Sequence, residues 1–307
     1  DITTSQTWYA DTAYTLKGFI HVDSGVTLTI QPGTVIHGDF ATLGSSLFVM
    51  PGARIQAVGT AASPIVFTSS QPAGQRKPGD WGGLVIVGRA SISRTGVNID
   101  IEGTGTVTGG GSGTNYAVRY SGRNVDTDDS GELRYVRVEF AGYAPSNGNE
   151  LNTFTFAAVG STTKLSYLQA LAGLDDSFEW FGGAVDGQYL ISYEAGDDHF
   201  DASEGYTGRN QFLIAFQSIR PDARAAAGTP SSDPQGFEND GCAGSNCVAG
   251  QNSTPRNDPM FANFTLVGTG PGVVDGTSGG IGMMLRRGTA GYYVNGIVAR
   301  WPRAAFS

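Results

Sequence analysis

A nine-residue phrase occurs twice in the middle of the sequence, and it constrains the fold more than any other feature. Residues 175–183 read DDSFEWFGG, and residues 197–205 read DDHFDASEG. Tyr167 and Tyr189 are separated by the same interval in the lead-ins, and residues 211–214 (QFLI) lie where a third repeat would begin. Self-similarity at such a short period indicates stacked repeats. The period is too short for a pair of helices and predicts one coil of a β-solenoid, with short strands joined by turns.

The repeat brings acidic side chains together. Equivalent residues of adjacent coils lie about 4.8 Å apart, the spacing of hydrogen-bonded strands. Three acidic pairs should therefore be neighbours: Asp175 with Asp197, Asp176 with Asp198, and Glu179 with Asp201. Residues 175–205 hold nine of the 28 acidic residues and no Lys or Arg. Because stacked carboxylates repel one another, a bound cation, raised pKa values or wide exposure to water must offset the repulsion.

Short apolar segments separated by turns recur in the rest of the chain. Residues 26–39 and 46–59 each read as strand, Pro-Gly turn and strand, and the two turn prolines, Pro32 and Pro51, are 19 residues apart. Proline presets φ for a turn and glycine accepts a positive φ. Residues 133–142 restart the pattern after an interruption. Strands at this short, regular spacing predict an all-β structure.

Longer segments interrupt the strands and predict loop insertions. Residues 103–114 are rich in Gly and Thr and predict a surface loop. A longer turn brings Glu150 near the acidic repeats, and a loop of about 40 residues follows Ile219, a length that is often functional. That loop contains GFENDG at 236–241, a loose echo of the acidic phrase. With no long linker, residues 1–307 are predicted to form one domain.

Charge and hydropathy exclude several classes of protein. The formal net charge is −9, charged residues make up only 15% of the chain, and no basic patch is present, which argues against binding to nucleic acid. No apolar run reaches transmembrane length, so no transmembrane segment is predicted. Abundant Gly and few charges fit a secreted all-β protein, and the opening DITTSQTWY is typical of a mature terminus after processing.

The two cysteines lie close together in a Gly/Ser/Asn-rich loop. Cys242 and Cys247 predict a local disulfide formed in an oxidising compartment, that is, an extracellular or outer cell-surface location. Two free thiols are the alternative. A zinc site is disfavoured because the chain has only three His, none of them nearby in sequence.

The sequence stops at Ser307, shortly after a predicted strand. The end of a solenoid exposes unpaired backbone groups and normally needs a cap. No amphipathic capping helix is predicted there. We therefore expect either a further C-terminal segment or a partner, including a second copy of the chain, at this end.

Several segments resemble right-handed parallel β-helix proteins of the pectate-lyase-like superfamily, namely TIQPGTVIHGD, GARIQAVGTAASPIVFTS and GDWGG. The run from GNELN through GLDDSFEWFGG to GRNQFLIAFQ resembles a large group of secreted, cell-surface bacterial proteins with this fold, whose function is largely uncharacterised. The resemblance implies an all-β, single-domain right-handed parallel β-helix with long loop insertions. It implies fold and location more than activity.

The stacked acids predict a divalent cation site, and Ca²⁺ is the expected ion because it accepts six to eight oxygen ligands and can bridge adjacent coils. The expected ligands are Asp175, Asp176, Asp197, Asp198 and Asp201, with Glu179 and Glu204 in reserve. The alternative is structural, since an Asp at a turn accepts hydrogen bonds from its own backbone.

Catalysis by the same acids is a second possibility. Asp175, Asp197 and Asp198 could act as the acid and base of a glycoside hydrolase, which needs two carboxyls with different pKa values. The sequence GDD at 196–198 resembles the paired-Asp motif of β-helix polygalacturonases, whose downstream Gly-His-Gly and Arg-Ile-Lys motifs have no match here. A Ca²⁺-dependent lyase needs a basic residue, and none occurs between 165 and 208.

Aromatic and basic residues near the repeats could bind a glycan. Trp180, Tyr206 and Arg209 are the expected contacts, with Phe181 and Trp301 as further rings, and packing in the core is the alternative for the aromatics. Taken together, the sequence favours a secreted surface protein with a binding or structural role and a polysaccharide as partner. A polysaccharide-degrading enzyme is the alternative.

Overall fold

The computed structural model describes residues 1–94, 99–105, 117–146, 148–242, 247, 249–274 and 279–307. Most of the Gly/Thr-rich segment 103–114 lies outside these residues. The described part of the chain contains no α-helix and one short 3₁₀ turn, Gly250–Asn252. It contains no helix long and apolar enough to cross a membrane.

Twenty-three strands make up the framework of the described part of the chain. In chain order they are β1 Gln6–Trp8, β2 Tyr14–Leu16, β3 Phe19–Val22, β4 Thr27–Ile30, β5 Val35–Gly38, β6 Ser46–Val49, β7 Arg54–Val58, β8 Ile65–Ser69, β9 Gly83–Val87, β10 Ile99–Asp100, β11 Arg119–Tyr120, β12 Gly131–Glu139, β13 Phe154–Ala157, β14 Lys164–Leu171, β15 Phe178–Phe181, β16 Asp186–Tyr193, β17 Phe200–Ser203, β18 Arg209–Phe216, β19 Gln235–Asp240, β20 Met260–Val267, β21 Ile281–Arg286, β22 Tyr292–Val294 and β23 Ile297–Ala299.

Two parallel sheets run the length of a stack of coils. The short-strand sheet has eight strands in the order β3-β6-β9-β13-β15-β17-β19-β21, and the long-strand sheet has thirteen strands built around β12-β14-β16-β18-β20. From β13 to β21 the chain alternates between the two sheets, so each coil contributes one strand to each. The fold is therefore an all-β parallel β-helix, as predicted.

The central repeat corresponds to adjacent coils. The rings of Tyr167 and Tyr189 stack with their centroids 4.4 Å apart, and Phe178 pairs with Phe200 in register with a centroid distance of 5.4 Å. In the next coil Phe212 stacks on Tyr189 at 4.8 Å, one position later than the repeat predicts. The turn before β18 is one residue longer than the turn before β16, and this accounts for the difference.

The spacing of the two Pro-Gly turns does not mark equivalent coil positions. Strand β4 pairs with β7 so that Leu28 faces Ile55, and the coil is therefore longer than the interval between the two prolines. Pro32 lies between β4 and β5, whereas Pro51 lies between β6 and β7, so the turns belong to different corners. One coil therefore uses similar turns at two of its corners.

Each long strand from β12 to β20 bends at a single residue, and these residues, continued by Asn295 between β22 and β23, form a column along the molecule. All have positive φ although none is glycine, with φ of 49° to 63°: Tyr135, Tyr167, Tyr189, Phe212, Asn263 and Asn295. Left-handed conformation costs roughly 1–2 kcal/mol for a residue with a Cβ. Ring stacking offsets this cost in the first four coils, and in the last two the Asn295 side chain donates a hydrogen bond to Asn263 Oδ1 at 2.6 Å.

The core lies between the two sheets and is stacked in the same way. Phe154, Phe178, Phe200 and Phe237 occupy one buried position in four successive coils, with neighbouring centroids 5.0, 5.4 and 5.5 Å apart. Side chains alternate between the two faces of a strand, so the residue after each of these Phe residues points out of the coil. This alternation puts Glu179, Asp201 and Glu238 on the outer face of the short-strand sheet.

The predicted disulfide is confirmed. Cys242 and Cys247 are bonded, and their Cα atoms are 5.6 Å apart.

Candidate functional site

A column of polar side chains runs across the outer face of the short-strand sheet. Its members are paired in register from one coil to the next: Thr155 on β13, Glu179 on β15, Asp201 on β17 and Glu238 on β19. Glu179 and Asp201 were predicted neighbours and are confirmed as such. Glu238 belongs to the segment GFENDG, whose Phe237 pairs with Phe200.

A second column lies at the corner just before these strands and forms a hydrogen-bond ladder between coils. Asn152 Oδ1 accepts the backbone N–H of Asp176 at 3.2 Å, and Asp176 Oδ1 accepts that of Asp198 at 2.8 Å. Asp198 Oδ1 accepts the N–H of Gln235, and Gln235 Oε1 accepts that of Ile281 at 2.9 Å. The four side chains of the ladder are buried. The structural alternative expected these Asp residues to accept from their own turns, whereas one oxygen of Asp176 and one of Asp198 accept from the backbone of the next coil.

The predicted cation ligands come together at these two columns. Three overlapping groups each have carboxylate oxygens within 4.8 Å of one another. The groups are Asp175 with Asp176 and Asp197, Asp176 with Glu179 and Asp201, and Asp198 with Asp201 and Glu238. The first two groups share Asp176, and the last two share Asp201. All five residues predicted as ligands are therefore part of one cluster.

The cluster lines a cavity of about 290 Å³, which we call the acidic cleft. Among the described residues, its wall contains ten acidic side chains and one basic side chain, that of Arg286. The acidic residues are Glu102, Glu150, Asp175, Asp176, Glu179, Asp197, Asp198, Asp201, Asp233 and Glu238. An adjoining cavity of about 370 Å³ shares Glu150, Asp175, Asp197 and Ser231 with the acidic cleft and is also lined by Arg220.

Burial raises the pKa values of the acids in the cleft. The pKa values of Asp175, Asp176, Glu179, Asp197, Asp198 and Asp201 all lie well above the ordinary range, chiefly through desolvation and further through neighbouring carboxylates. The pKa of Glu238 is raised to about 7, also by burial, although Arg286 lies beside it. The carboxyls of the cluster therefore hold their protons more tightly than free carboxylic acids do, unless positive charge enters the cleft.

Two buried oxygens in the outer column lack hydrogen-bond partners. Within the part of the chain that the structure describes, neither Thr155 Oγ1 nor Asp201 Oδ1 has one. Thr155 is only 1% exposed, and in register it adjoins Glu179. A buried hydroxyl without a partner costs about 1–3 kcal/mol, so both atoms are available for a ligand.

Some predicted site residues lie elsewhere. Glu204, a reserve ligand, bonds to Arg94 at 2.5 Å and accepts the hydroxyl of Tyr120 at 2.6 Å, so its charge is already paired. Asp186, from the same acidic run, lies on the long-strand sheet 3.7 Å from Arg209. Arg209 does not line the cleft, and its role in binding a substrate stays a prediction.

The aromatic residues predicted to stack on sugars also lie outside the cleft. Trp180 and Tyr206 are fully buried in the core, where their ring centroids lie 5.3 Å apart. Neither can present a face to a glycan, and that prediction is wrong. The alternation of the strand explains it, because Glu179 points outward and its neighbour Trp180 must point inward. Trp301 packs edge-on against His199 at 5.9 Å.

His199, which follows the second acidic pair, faces the interior. It is buried and its Nδ1 lies 2.5 Å from Ser192 Oγ. Burial lowers its pKa to about 3, so it is neutral. It does not contribute to the cleft.

Sequence reasoning anticipated Glu150 but missed Glu102, Asp233 and Arg286. Each of these three enters the cleft from a distant part of the chain. The echo GFENDG was the available signal for Glu238, since its Phe-Glu step repeats the Phe178-Glu179 step.

Comparison with known protein families gave a match over nearly the whole chain. A family model described as a pectate-lyase like beta helix domain matches residues 1–306. Comparisons with curated proteins and with solved structures gave no match.

Proposed function

Because the chain belongs to the pectate-lyase-like β-helix family, we propose that its acidic cleft binds divalent cations, with Ca²⁺ as the preferred ion. We further propose that the protein is secreted and that the cation-bound cleft binds a polysaccharide. The family suggests a role connected with polysaccharides. The disulfide supports an oxidising, extracellular compartment. A binding or structural role is favoured over turnover.

The ladder at the corner of the cleft carries the proposal. Asn152 and Gln235, at its two ends, cap the next coil with a neutral amide oxygen. Asp176 and Asp198, in the middle, cap it with one carboxylate oxygen. An amide satisfies the backbone equally well and avoids the cost of a buried charge. The two carboxylates therefore need a second reason, and a cation at their remaining oxygens supplies it.

The composition of the cluster favours calcium. Ca²⁺ takes six to eight oxygens at about 2.3–2.6 Å in flexible geometry, whereas Mg²⁺ demands a tight octahedron and releases its water reluctantly. The overlapping groups offer only oxygen ligands, with Asp176 and Asp201 placed to bridge neighbouring ions. Thr155 Oγ1 lies at the edge of the same column as a further neutral oxygen.

Glycoside hydrolysis by Asp175, Asp197 and Asp198 is the second candidate, and the raised pKa values favour it. A hydrolase holds its two carboxyls about 5–5.5 Å or 6.5–9.5 Å apart, with the sugar between them. In the groups described above, oxygens converge within 4.8 Å. That convergence suits an ion better than an intervening sugar ring.

Calorimetric titration with CaCl₂ and with MgCl₂ tests the cation site. Wild-type protein should bind calcium more tightly than magnesium, and Asp176→Asn, which keeps a capping oxygen, should weaken calcium binding at least tenfold. Asp186→Asn is the matched control, because this acid of the same repeat faces away from the cleft, and it should bind calcium as the wild type does. Wild-type protein without calcium binding would contradict the proposal.

Cosedimentation with insoluble acidic and neutral polysaccharides, in calcium and in chelator, tests the proposed binding of a polysaccharide. Retention that depends on calcium and is lost in Asp176→Asn is expected. Release of reducing ends, abolished by Asp197→Asn, would instead favour the hydrolase.

A further inference from the structure

An exposed apolar surface lies on the long-strand sheet, a different sheet from the one that forms the acidic cleft. On the C-terminal halves of β16 and β18, the outward side chains are Ile191 and Tyr193, and Ile214 and Phe216. Ile191 is in register with Ile214, and Tyr193 with Phe216. The rings of the latter pair stack with centroids 5.6 Å apart.

The surface continues onto the column of bend residues. Together the seven apolar side chains are each 37–49% exposed: Tyr167, Tyr189, Ile191, Tyr193, Phe212, Ile214 and Phe216. We call these seven residues the apolar face. At about 80 Å² each, they expose roughly 550 Å², at the upper end of the largest patch that a typical monomer carries. Such a surface usually marks an interaction site.

We propose that the apolar face is the interface of a weak homodimer, in which a second copy of this chain covers it across a two-fold axis parallel to the strands. The axis passes between β16 and β18. It reverses the order of the strands, so Ile191 of one copy meets Ile214 of the other and Tyr193 meets Phe216. The contacts are therefore reciprocal, Ile191 with Ile214 and Ile214 with Ile191, as an isologous interface requires.

Electrostatics allows a second copy to approach here. The chain carries a net charge of −9, which opposes association at most surfaces. The apolar face includes no ionisable side chain other than the tyrosine hydroxyls, and the acidic cleft lies on the other sheet. At the border of the face, on β12, Arg137 and Glu139 already neutralise each other at 2.5 Å.

The arrangement of the rings disfavours a glycan as the occupant. Tyr167 stacks on Tyr189 at 4.4 Å and Tyr189 on Phe212 at 4.8 Å, with interplanar angles of 9° and 12°. The faces of these rings cover one another, and mainly their edges reach solvent. Sugars stack on ring faces, whereas ring edges pack well against other apolar side chains.

The size of the face predicts the strength of the dimer. About 550 Å² from each copy gives a total of about 1,100 Å², at the low end for a specific interface. We therefore expect a dissociation constant in the micromolar range.

Sedimentation velocity of the whole chain between about 1 and 100 µM tests the proposal. Wild-type protein should double in mass across this range, and Ile191→Lys and Ile214→Asp should each remain monomeric. Val35→Asp is the control, because Val35 is an exposed apolar residue on β5 outside the apolar face. It should dimerise as the wild type does.

Mixing the two monomeric variants provides the decisive measurement. Across the proposed axis, the lysine introduced at position 191 of one chain meets the aspartate introduced at position 214 of the other, while the remaining pair stays Ile against Ile. An equimolar mixture should therefore form a heterodimer that neither variant forms alone. A mixture that stays monomeric, or a wild type that stays monomeric at the highest concentration, would overturn the proposal. The readout needs no calcium and no polysaccharide, so it is independent of the proposed function.

Discussion

Asp176 and Asp198, equivalent residues of successive coils, are joined by a hydrogen bond of 2.8 Å from the backbone N–H of Asp198 to the carboxylate of Asp176. The same contact joins Asn152 to Asp176 with an amide in place of the acid. The two hydrogen bonds have the same arrangement, but Asn152 accepts with a neutral amide and Asp176 with a carboxyl group. Structural and ligand-binding contributions of one side chain can therefore be separated by substitution.

The first prediction compares two substitutions of Asp176 in the presence of chelator. Asp176→Asn keeps a capping oxygen and removes a carboxyl whose pKa burial raises, so the free energy of unfolding at pH 7 should stay equal or rise. Asp176→Ala also removes the carboxyl but leaves the buried N–H of Asp198 without its partner, so it should be about 1–3 kcal/mol less stable than Asp176→Asn. Urea unfolding curves measure both. Equal losses in the two variants would contradict the capping role.

The second prediction concerns pH. The carboxyls of the cleft have folded-state pKa values above their unfolded values of about 4, so the folded state binds more protons in the interval between them. In chelator, the free energy of unfolding should therefore fall as the pH rises from about 4 through about 7, where Glu238 titrates. Saturating calcium should flatten or reverse this slope. Melting temperatures from pH 5 to 8 test it, and a slope unaffected by calcium would count against the ion site.

The third prediction concerns the bend at Tyr189, where φ is 58°. Asparagine tolerates this conformation and occupies it at positions 263 and 295, whereas a β-branched residue does not. Tyr189→Val should destabilise the protein by about 1 kcal/mol more than Tyr189→Asn. Ile191→Val, two residues away in regular strand, controls for the loss of exposed apolar surface. Thermal unfolding of the three variants gives the comparison.

The fourth prediction concerns the disulfide. Cys242 and Cys247 close a short loop, for which the chain-entropy model gives a stabilisation of about 2 kcal/mol. The double substitution of both residues to Ser should lose no more than that and should leave calcium binding unchanged. A thiol assay on the unreduced, denatured wild type should detect no free thiol.

Strand pairing was predictable where the sequence repeats itself closely. The match between residues 175–183 and 197–205 placed Phe178 beside Phe200 and Glu179 beside Asp201, as found. At the N-terminus, the Pro-Gly turns at Pro32 and Pro51 do not reveal the strand pairing, because similar turns serve two corners of a coil. A local match of turn residues therefore sets the register less securely than a match that includes buried side chains.

The acidic cleft was predictable only in part. The stacked Asp residues followed from the repeat, and the outward direction of Glu179 already implied that Trp180 points inward. Glu102 and Asp233 were not predictable, because long insertions bring them to the cleft and no periodicity governs an insertion. Arg286 arrives from a later coil and supplies positive charge that the local sequence lacks.

The column of bend residues stays aligned although the connections between strands vary in length, even across residues 241–259 before β20. The turns that lead into β16 and β18 are short and differ by a single residue. At the other corner, the connections before β15 and β17 are equal in length, while the connection before β19 is much longer and extends from position 217 to position 234. Ser231 and Asp233, from that longer connection, line the acidic cleft. Variation in length at this corner can therefore reshape the wall of the cleft, and with it ligand selectivity, while every strand keeps its partner.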